Sequence, residues 1–244
     1  MITLPHLASR IFDTPLAIHR QKLDVILQAI GPRLQGMPMT PMEQERMKRK
    51  PYMVTPDGIA VIDIMGTLVH RSTGMDALSG LTSYPDIEAE LIDACTDPAI
   101  KGVLLNIDSP GGEVQGVFDL ADEIYSARDM KPICAVADAA YSAAYLLGSA
   151  ASEIYCPRTG GVGSVGIICL HRDQSEADAK EGLKYTAFFA GARKNDGNSH
   201  VPLTEGVSAR IQGDVDSIYG MFVAAVARNR GMKPEAVRAT ELTA

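Results

Sequence analysis

From Gly58 onwards, short apolar runs alternate with segments in which apolar residues recur every three or four positions. The runs have the length of buried strands, and they span residues 59–65, 103–107, 133–137, 165–170 and 186–190. The intervening period is that of a helix with one face packed on a sheet. This alternation is typical of βα units around a largely parallel sheet, so the sequence predicts an α/β domain over residues 58–235.

Three of the intervening segments carry the helical period. The first ends at Asp97-Pro98, and the longest, near the C-terminus, ends at Gly231, because glycine readily adopts the left-handed conformation that closes a helix. The apolar positions that mark the three helices are Ile87, Leu91, Ile92 and Cys95; Val114, Val117, Phe118, Ala121 and Ile124; and Val207, Ile211, Val215, Ile218, Phe222, Ala225 and Val226.

Residues 1–57 differ from the α/β domain in composition. An amphipathic pattern predicts an N-terminal helical arm over residues 1–34, and residues 35–57, rich in methionine, proline and charge, predict a linker. Because residues 1–50 and the segment after Met232 hold few apolar positions, we expect both to be mobile and dispensable for the core fold, with residues 236–244 a truncated tail. The apolar positions of the arm are Ile18, Leu23, Ile26, Leu27 and Ile30.

Charge, hydropathy and cysteine spacing exclude several classes of function. The chain has 23 basic and 30 acidic side chains, a net charge of −7 and no basic stripe, so nucleic acid is not an expected partner. The longest apolar stretch, residues 134–151, contains Asp138 and is mostly Ala, Ser and Gly, so no membrane span is expected. The four cysteines lack the spacing of metal ligands and the N-terminus lacks the basic residues of a signal peptide, which predicts a cytoplasmic protein without a metal site.

Two strand-to-helix junctions carry residues suited to acyl-transfer chemistry. Residues 103–107 lead into Asp108-Ser109-Pro110-Gly111-Gly112, where two glycines before a helix can present N–H groups to a developing negative charge. Glycines of an ordinary tight turn would give the same pattern. Residues 133–137 lead to Ser142 at the head of an Ala-rich helix, a position that suits a nucleophile with small neighbours but also a helix-capping serine.

A serine nucleophile needs a base, and none of the five histidines lies in a recognisable catalytic context. A lysine can serve if burial or a polar network keeps its amine neutral. Lys194, in the loop of residues 191–198, is the candidate, although a loop lysine is ordinarily solvated.

Taken together, four motifs resemble the signal peptide peptidase A family in order, spacing and content. The opening residues 4–9, with Pro15-Leu16, and the segment from Lys194 to Asn198 resemble its branch of phage head-maturation proteases, and the resemblance covers residues 55–235. The four motifs are Ser109-Pro110-Gly111-Gly112; Tyr141-Ser142-Ala143-Ala144-Tyr145; residues 159–166, which end in Gly163-Ser164-Val165-Gly166; and residues 191–198.

The resemblance implies a Clp-protease/crotonase-like fold of repeated ββα units and a Ser/Lys dyad that needs no metal or cofactor. Ser142 would be the acylating nucleophile and Lys194 the general base. Gly112 and Ala143 would donate backbone N–H groups to the oxyanion, and Ser164 would orient the lysine. The sequence departs from the family in two respects, because Ala143-Ala144 replaces a common Gly-Gly pair and the chain ends before a Gly-x-x-Ala stretch that relatives contain.

The function implied by the resemblance is a serine endopeptidase of phage capsid assembly. It would act in the host cytoplasm or the prohead on scaffold and head proteins and on its own chain, and the small residues around Ser142 favour small side chains near the cut. A ring-like homo-oligomer is also expected, with Ser142 and Lys194 meeting across a subunit boundary, because the loop around Lys194 offers little apolar burial.

Two other functions stay open on the sequence. A crotonase-type acyl-CoA hydratase or isomerase would share the oxyanion architecture and would use Glu113 as its nearby carboxylate. A catalytically silent subunit of the capsid would keep the fold and lack the activity.

Overall fold

The computed structural model describes residues 14–19, 23–24, 52–71 and 80–240. Within these residues, a mixed sheet of nine strands is covered by helices. The elements in chain order are β1 Pro15–Ile18, β2 Met53–Val54, β3 Ile59–Val69, β4 Leu81–Ser83, α1 Tyr84–Thr96, β5 Gly102–Glu113, α2 Val117–Ala127, β6 Ile133–Tyr141, α3 Ala143–Ala150, β7 Glu153–Tyr155, β8 Gly161–Gly163, β9 Ile168–Cys169, α4 Ser175–Lys180, α5 Glu205–Arg230 and α6 Pro234–Arg238.

The middle of the sheet is parallel. β3, β5 and β6 lie side by side, β4 pairs with the end of β3, and β7 and β8 pair with the start and the end of β6, all in parallel register. Two short strands are antiparallel to this centre. β2 pairs with the start of β3, and β1 pairs with the end of β5. The carboxyl ends of the long strands therefore meet at one edge, where α/β proteins place their sites.

On the edge of β5 that faces away from β3, the partner strand changes along the length of β5. β6 accompanies β5 as far as the pair Ser109–Ala140, and then its chain turns away into α3. Beyond that point β1 pairs with residues 111–113 of β5, and the other edge of β1 pairs with β9. β1 thus fills the space beside β5 that β6 leaves.

The core surrounds α3, a helix that is buried on every side. Ala143, Ala144, Leu146, Leu147 and Ala150 are 0% exposed, and α3 contacts β5, α2 and α5. A helix enclosed in this way needs small residues where neighbouring elements approach closely. The long apolar stretch of the sequence is therefore a buried strand and helix, and none of the helices in the described part of the chain is both long and apolar enough to span a bilayer.

Most of the predicted elements are confirmed. The runs 59–65, 103–107 and 133–137 form the amino-terminal parts of β3, β5 and β6, and the three predicted helices are α1, α2 and α5. Gly231 ends α5 in the left-handed conformation, with φ of 61°. The strands are longer than the apolar runs because β5 and β6 continue through the polar and glycine-rich motifs that follow them.

Two predicted strands differ from the structure. Only Ile168–Cys169 of the run 165–170 is a strand, and residues 186–190 form none. The side chains of Phe188 and Phe189 in that second run are 95% and 55% exposed. The run is therefore apolar, yet it pairs with none of the described strands.

The N-terminal region contributes a strand where a helix was expected. Pro15–Ile18 is β1, whose residues Leu16, Ala17 and Ile18 are buried in the sheet, because pairing on both edges satisfies its backbone. Leu23 and Asp24 are helical, and the rest of the predicted arm lies outside the described residues, as does the linker up to residue 51. In the segment after Met232, Val237 of α6 is 1% exposed and belongs to the core.

A buried polar contact fixes the C-terminal half of α5 on α3. The side chain of Asn229 donates to Ser149 Oγ at 3.0 Å, Ser149 Oγ donates to the carbonyl oxygen of Leu146 at 2.7 Å, and both polar side chains are buried. Phe222 and Val226 of α5 are buried beside this contact.

Replacing Asn229 with alanine should lower the free energy of unfolding by about 1–3 kcal/mol, because the contact is lost in a buried site. Urea denaturation measures the change. Asp216→Ala, which alters an exposed position of the same helix, should shift the value by less than about 0.5 kcal/mol. Equal stability of the two variants would contradict the importance of this contact.

Candidate active site

Ser142 lies in a strained turn between β6 and α3. Its φ of 54° and ψ of −118° are left-handed values that L residues rarely adopt, and among the described residues only Ser142 and Ser164 combine a side chain with positive φ. Strain of this kind costs about 1–3 kcal/mol and persists only where the surroundings enforce it. A serine on a sharp strand-to-helix turn is the arrangement of the nucleophile elbow in hydrolases.

The contacts of Ser142 do not fit a capping role. It stands at the N-cap position of α3, yet its side chain accepts no hydrogen bond from the helix backbone. Its amide donates to the carbonyl oxygen of Gly163 at 2.7 Å, and its Oγ donates to the carbonyl oxygen of Gly166 at 3.3 Å. The hydroxyl is therefore directed towards the segment after β8 rather than towards the helix.

Ser164 lies beside Ser142 at the end of the neighbouring strand. Parallel pairing of β6 and β8 puts Tyr141 opposite Gly163, so the next residue on each strand is one of the two serines. Both have φ of 54°, which turns the two chains in the same way at the edge of the sheet. The structure thus brings together two residues that are 22 positions apart in the sequence.

The glycine motif belongs to β5 rather than to the start of a helix, as the sequence had suggested. Gly111 and Gly112 extend the strand, and α2 begins only at Val117. A Cβ at Gly112 would overlap the carbonyl oxygen of Leu68, and one at Gly111 would lie 2.8 Å from the carbonyl oxygen of Tyr141. Close approach of β3 and of the Ser142 turn explains both glycines.

Ala143 lies next to Ser142 and close to the glycines of β5. It is the first residue of α3, where a backbone N–H has no acceptor within the helix. Its nitrogen lies 3.0 Å from the position of a Cβ at Gly111. The two residues predicted as oxyanion donors, Gly112 and Ala143, thus stand on adjoining segments next to Ser142.

Lys194 is not brought to this group within the described part of the chain. Its side chain is exposed and makes no hydrogen bond or ion pair with a described residue, while the hydroxyl of Ser142 contacts Gly166. The segment that follows Lys194 is nevertheless held by two side-chain contacts. Arg210 of α5 pairs with Asp196, and His200 pairs with Asp178 of α4 at 2.7 Å.

Glu113, the carboxylate required by the crotonase alternative, is held by its neighbours. Its Oε2 accepts the amide of His70 at 2.7 Å, and its carbonyl oxygen accepts the hydroxyl of Tyr84 at 2.5 Å. Burial and the charge of Glu113 raise the pKa of Tyr84 well above its ordinary value, which keeps that hydroxyl a donor. Glu113 therefore has a structural role in fixing the end of β5 against α1.

Sequence reasoning missed that β1 adjoins the site. Ile18, Ala17 and Leu16 pair with residues 111–113 of β5, and the rings of His19 and Tyr141 lie 4.9 Å apart. The signal that could have found this strand is the short run of branched and small apolar residues after Pro15, which also fits a strand at a sheet edge.

Part of the chain matches the model of a known protein family. The model of peptidase family S49 matches residues 126–240, which include both serines and Lys194. Residues 126–240 thus match the model of a family of serine peptidases.

Similarity to individual proteins extends over nearly the whole chain. The head-tail preconnector protein GP5 of Enterobacteria phage P21 is 35% identical over 98% of this chain and 51% of its own length. The capsid assembly protease C of Escherichia phage lambda is 34% identical over 98% of this chain and 59% of its own length. A putative signal peptide peptidase SppA of Enterococcus faecium is 30% identical over 58% of this chain and 42% of its own. The chain therefore spans only about half the length of the curated relatives it matches.

The strain at Ser142 can be tested by comparing two substitutions. The free energy of unfolding of Ser142→Gly should be about 1 kcal/mol higher than that of Ser142→Ala. Glycine adopts a positive φ without a steric penalty, whereas the Cβ of alanine retains that penalty. Thermal and urea denaturation of both variants give the difference. An alanine variant as stable as the glycine variant would mean that the turn is not strained.

Proposed function

We propose that this protein is a serine endopeptidase of phage capsid assembly, which cleaves scaffold and head proteins in the prohead, and its own chain. The observation that carries the proposal is Ser142, a serine in a strained strand-to-helix turn with no capping bond and with Ser164 beside it. The names of the two phage relatives support a role in capsid assembly, although the chain spans about half the length of those relatives.

In the proposed mechanism, Ser142 Oγ attacks the carbonyl carbon of a peptide bond as Lys194 takes its proton. The N–H groups of Gly112 and Ala143 bind the oxyanion that forms. The C–N bond then breaks and the leaving amine receives the proton from Lys194. Water hydrolyses the resulting ester, and Ser164 holds the lysine amine in place during both steps. The reaction needs no metal or cofactor.

The proposed fold is the Clp-protease/crotonase-like fold of repeated ββα units. The segment β3–β4–α1 supplies one such unit, and β5–α2 and β6–α3 continue the parallel sheet. Its support is the position of the glycines, Ser142 and Ser164 at the carboxyl ends of adjoining parallel strands.

We further propose that Lys194 acts in the site of a neighbouring copy, in a ring-like homo-oligomer. Its loop is held by the ion pair of Asp196 with Arg210 of α5, yet Lys194 is exposed and Phe188, a few residues before it, is 95% exposed. A second copy is the occupant that fits, because burial against it would cover the aromatic residues and also desolvate the amine near Ser142.

Co-expression with the cognate scaffold and major head proteins tests the function. We expect defined scaffold fragments with the wild-type chain, and a loss of at least about a thousandfold in cleavage rate with Ser142→Ala, because the nucleophile is removed. Gel analysis and mass spectrometry of the products measure both.

The control for folding is the denaturation midpoint of Ser142→Ala, which should match that of the wild type. An intact scaffold beside a folded wild-type oligomer would favour the catalytically silent subunit. Hydration of crotonyl-CoA by the same protein would favour the crotonase alternative.

Complementation tests the shared site. Ser142→Ala and Lys194→Ala should each be inactive alone, whereas their co-expression should restore part of the activity, because some interfaces then combine an intact serine with an intact lysine. Cleavage of scaffold by purified mixed oligomers measures the recovery.

The matched control is a chain that carries both Ser142→Ala and Lys194→Ala, co-expressed with the wild type. Its activity comes from the sites that keep both an intact serine and an intact lysine. Inactivity of mixed oligomers whose composition has been verified by mass spectrometry would place both residues in one subunit.

A further inference from the structure

β1 lies at the candidate active site in the way that an extended peptide binds to a sheet. It is antiparallel to β5 on one edge and to β9 on the other, so both of its backbone edges are paired. Strand addition of this kind is a general mode of peptide recognition, in which main-chain hydrogen bonds supply affinity and side-chain pockets supply specificity. Here the added strand belongs to the same chain.

The carbonyl group of Ala17 lies against Gly112, one of the two residues proposed to bind the oxyanion. The His19 amide donates to the carbonyl oxygen of Pro110 at 2.9 Å, and hydrogen-bonded pairs alternate along an antiparallel ladder, so the pair Ala17–Gly112 is of the same kind. A Cβ at Gly111 would overlap the carbonyl oxygen of Ala17 and would lie 3.0 Å from the nitrogen of Ala143. The Ala17 carbonyl therefore pairs with one proposed oxyanion donor, Gly112, and lies in the neighbourhood of the other, Ala143.

The side chains of β1 anchor it on both faces. Ala17 is 1% exposed and packs in the main core. Leu16 and Ile18 are buried in a second cluster on the other face, which includes Ile168 and Leu170. Ser142 is itself only 1% exposed, and Gly111 lies both against the carbonyl oxygen of Ala17 and against the Ser142 turn.

The groove is longer than the strand that fills it. An open cleft of about 440 Å³ continues beyond the amino end of β1 and is lined by Thr14, Pro15, His70 and Glu113, among others. A longer extended peptide would occupy this cleft together with the place of β1.

We propose that β1 is an intramolecular occupant of the peptide-binding groove, which covers Ser142 and the oxyanion donors and must leave before another peptide binds. The inference rests on the proposed function of Ser142. It implies that the rate at which the serine reacts is proportional to the fraction of molecules whose β1 is released.

A reversible lock on β1 tests the inference in the full-length chain. Pro15 is the cross-strand neighbour of Cys169, and neighbouring Cα atoms of an antiparallel pair are close enough for a disulfide. In Pro15→Cys, oxidation should join the two cysteines, and labelling of Ser142 by a fluorophosphonate should become at least about tenfold slower, because the released fraction falls. Dithiothreitol should restore the rate.

Two further variants complete the test. Pro15→Cys with Cys169→Ser should label equally fast with and without oxidant. Leu16→Asp with Ile18→Asp should label faster than wild type, because two charges oppose the return of β1 to its apolar cluster. Circular dichroism checks that the core of this variant remains folded.

The outcomes separate the inference from the proposed function. Equal labelling of the oxidised and reduced Pro15→Cys chains, or failure of the disulfide to form, would overturn the inference while Ser142 remains reactive. If no variant is labelled in either state, the proposed function fails and the inference fails with it.

Discussion

The candidate site depends on one strained turn, in which Ser142 leaves the sheet and enters α3. Two constraints hold it, because the Ser142 amide is bound to the carbonyl oxygen of Gly163 and the following helix is enclosed by the core. Burial of α3 supplies the free energy that offsets about 1–3 kcal/mol of backbone strain. Without these constraints, the serine would relax towards an ordinary cap and its hydroxyl would bond to the helix.

The sheet then gathers the remaining groups around this turn. Parallel register places Ser164 beside Ser142, and the glycines of β5 allow that strand to approach the turn closely. Each group comes from a different strand end, which is why residues far apart in the sequence form one site. The proposed base is the exception, because Lys194 is exposed on a loop outside the sheet, and a second copy is the proposed means of completing the site.

Much of the fold and of this site could be predicted from the sequence. The buried strands β3, β5 and β6 carry continuous apolar runs. Ser142 was singled out by its strand-to-helix junction and Ser164 by the family resemblance, and the structure places the two at neighbouring strand ends. Long-range pairing could not be predicted in the same way, because the helical spacing from Ile18 to Leu23 concealed the strand that joins β5. Residues 186–190 look like a buried strand, yet they are exposed, since burial of an apolar run depends on a partner that local pattern does not reveal.

The role of Ser142 is tested most directly by finding which residue a serine-reactive probe modifies. The wild-type chain is incubated with a fluorophosphonate until labelling is complete, digested, and analysed by tandem mass spectrometry. We expect one phosphonylated residue, Ser142, and no adduct in Ser142→Ala of the same oligomeric state. An adduct on another serine, or a wild-type chain that cleaves scaffold while Ser142 stays unmodified, would contradict the assignment of Ser142 as the nucleophile.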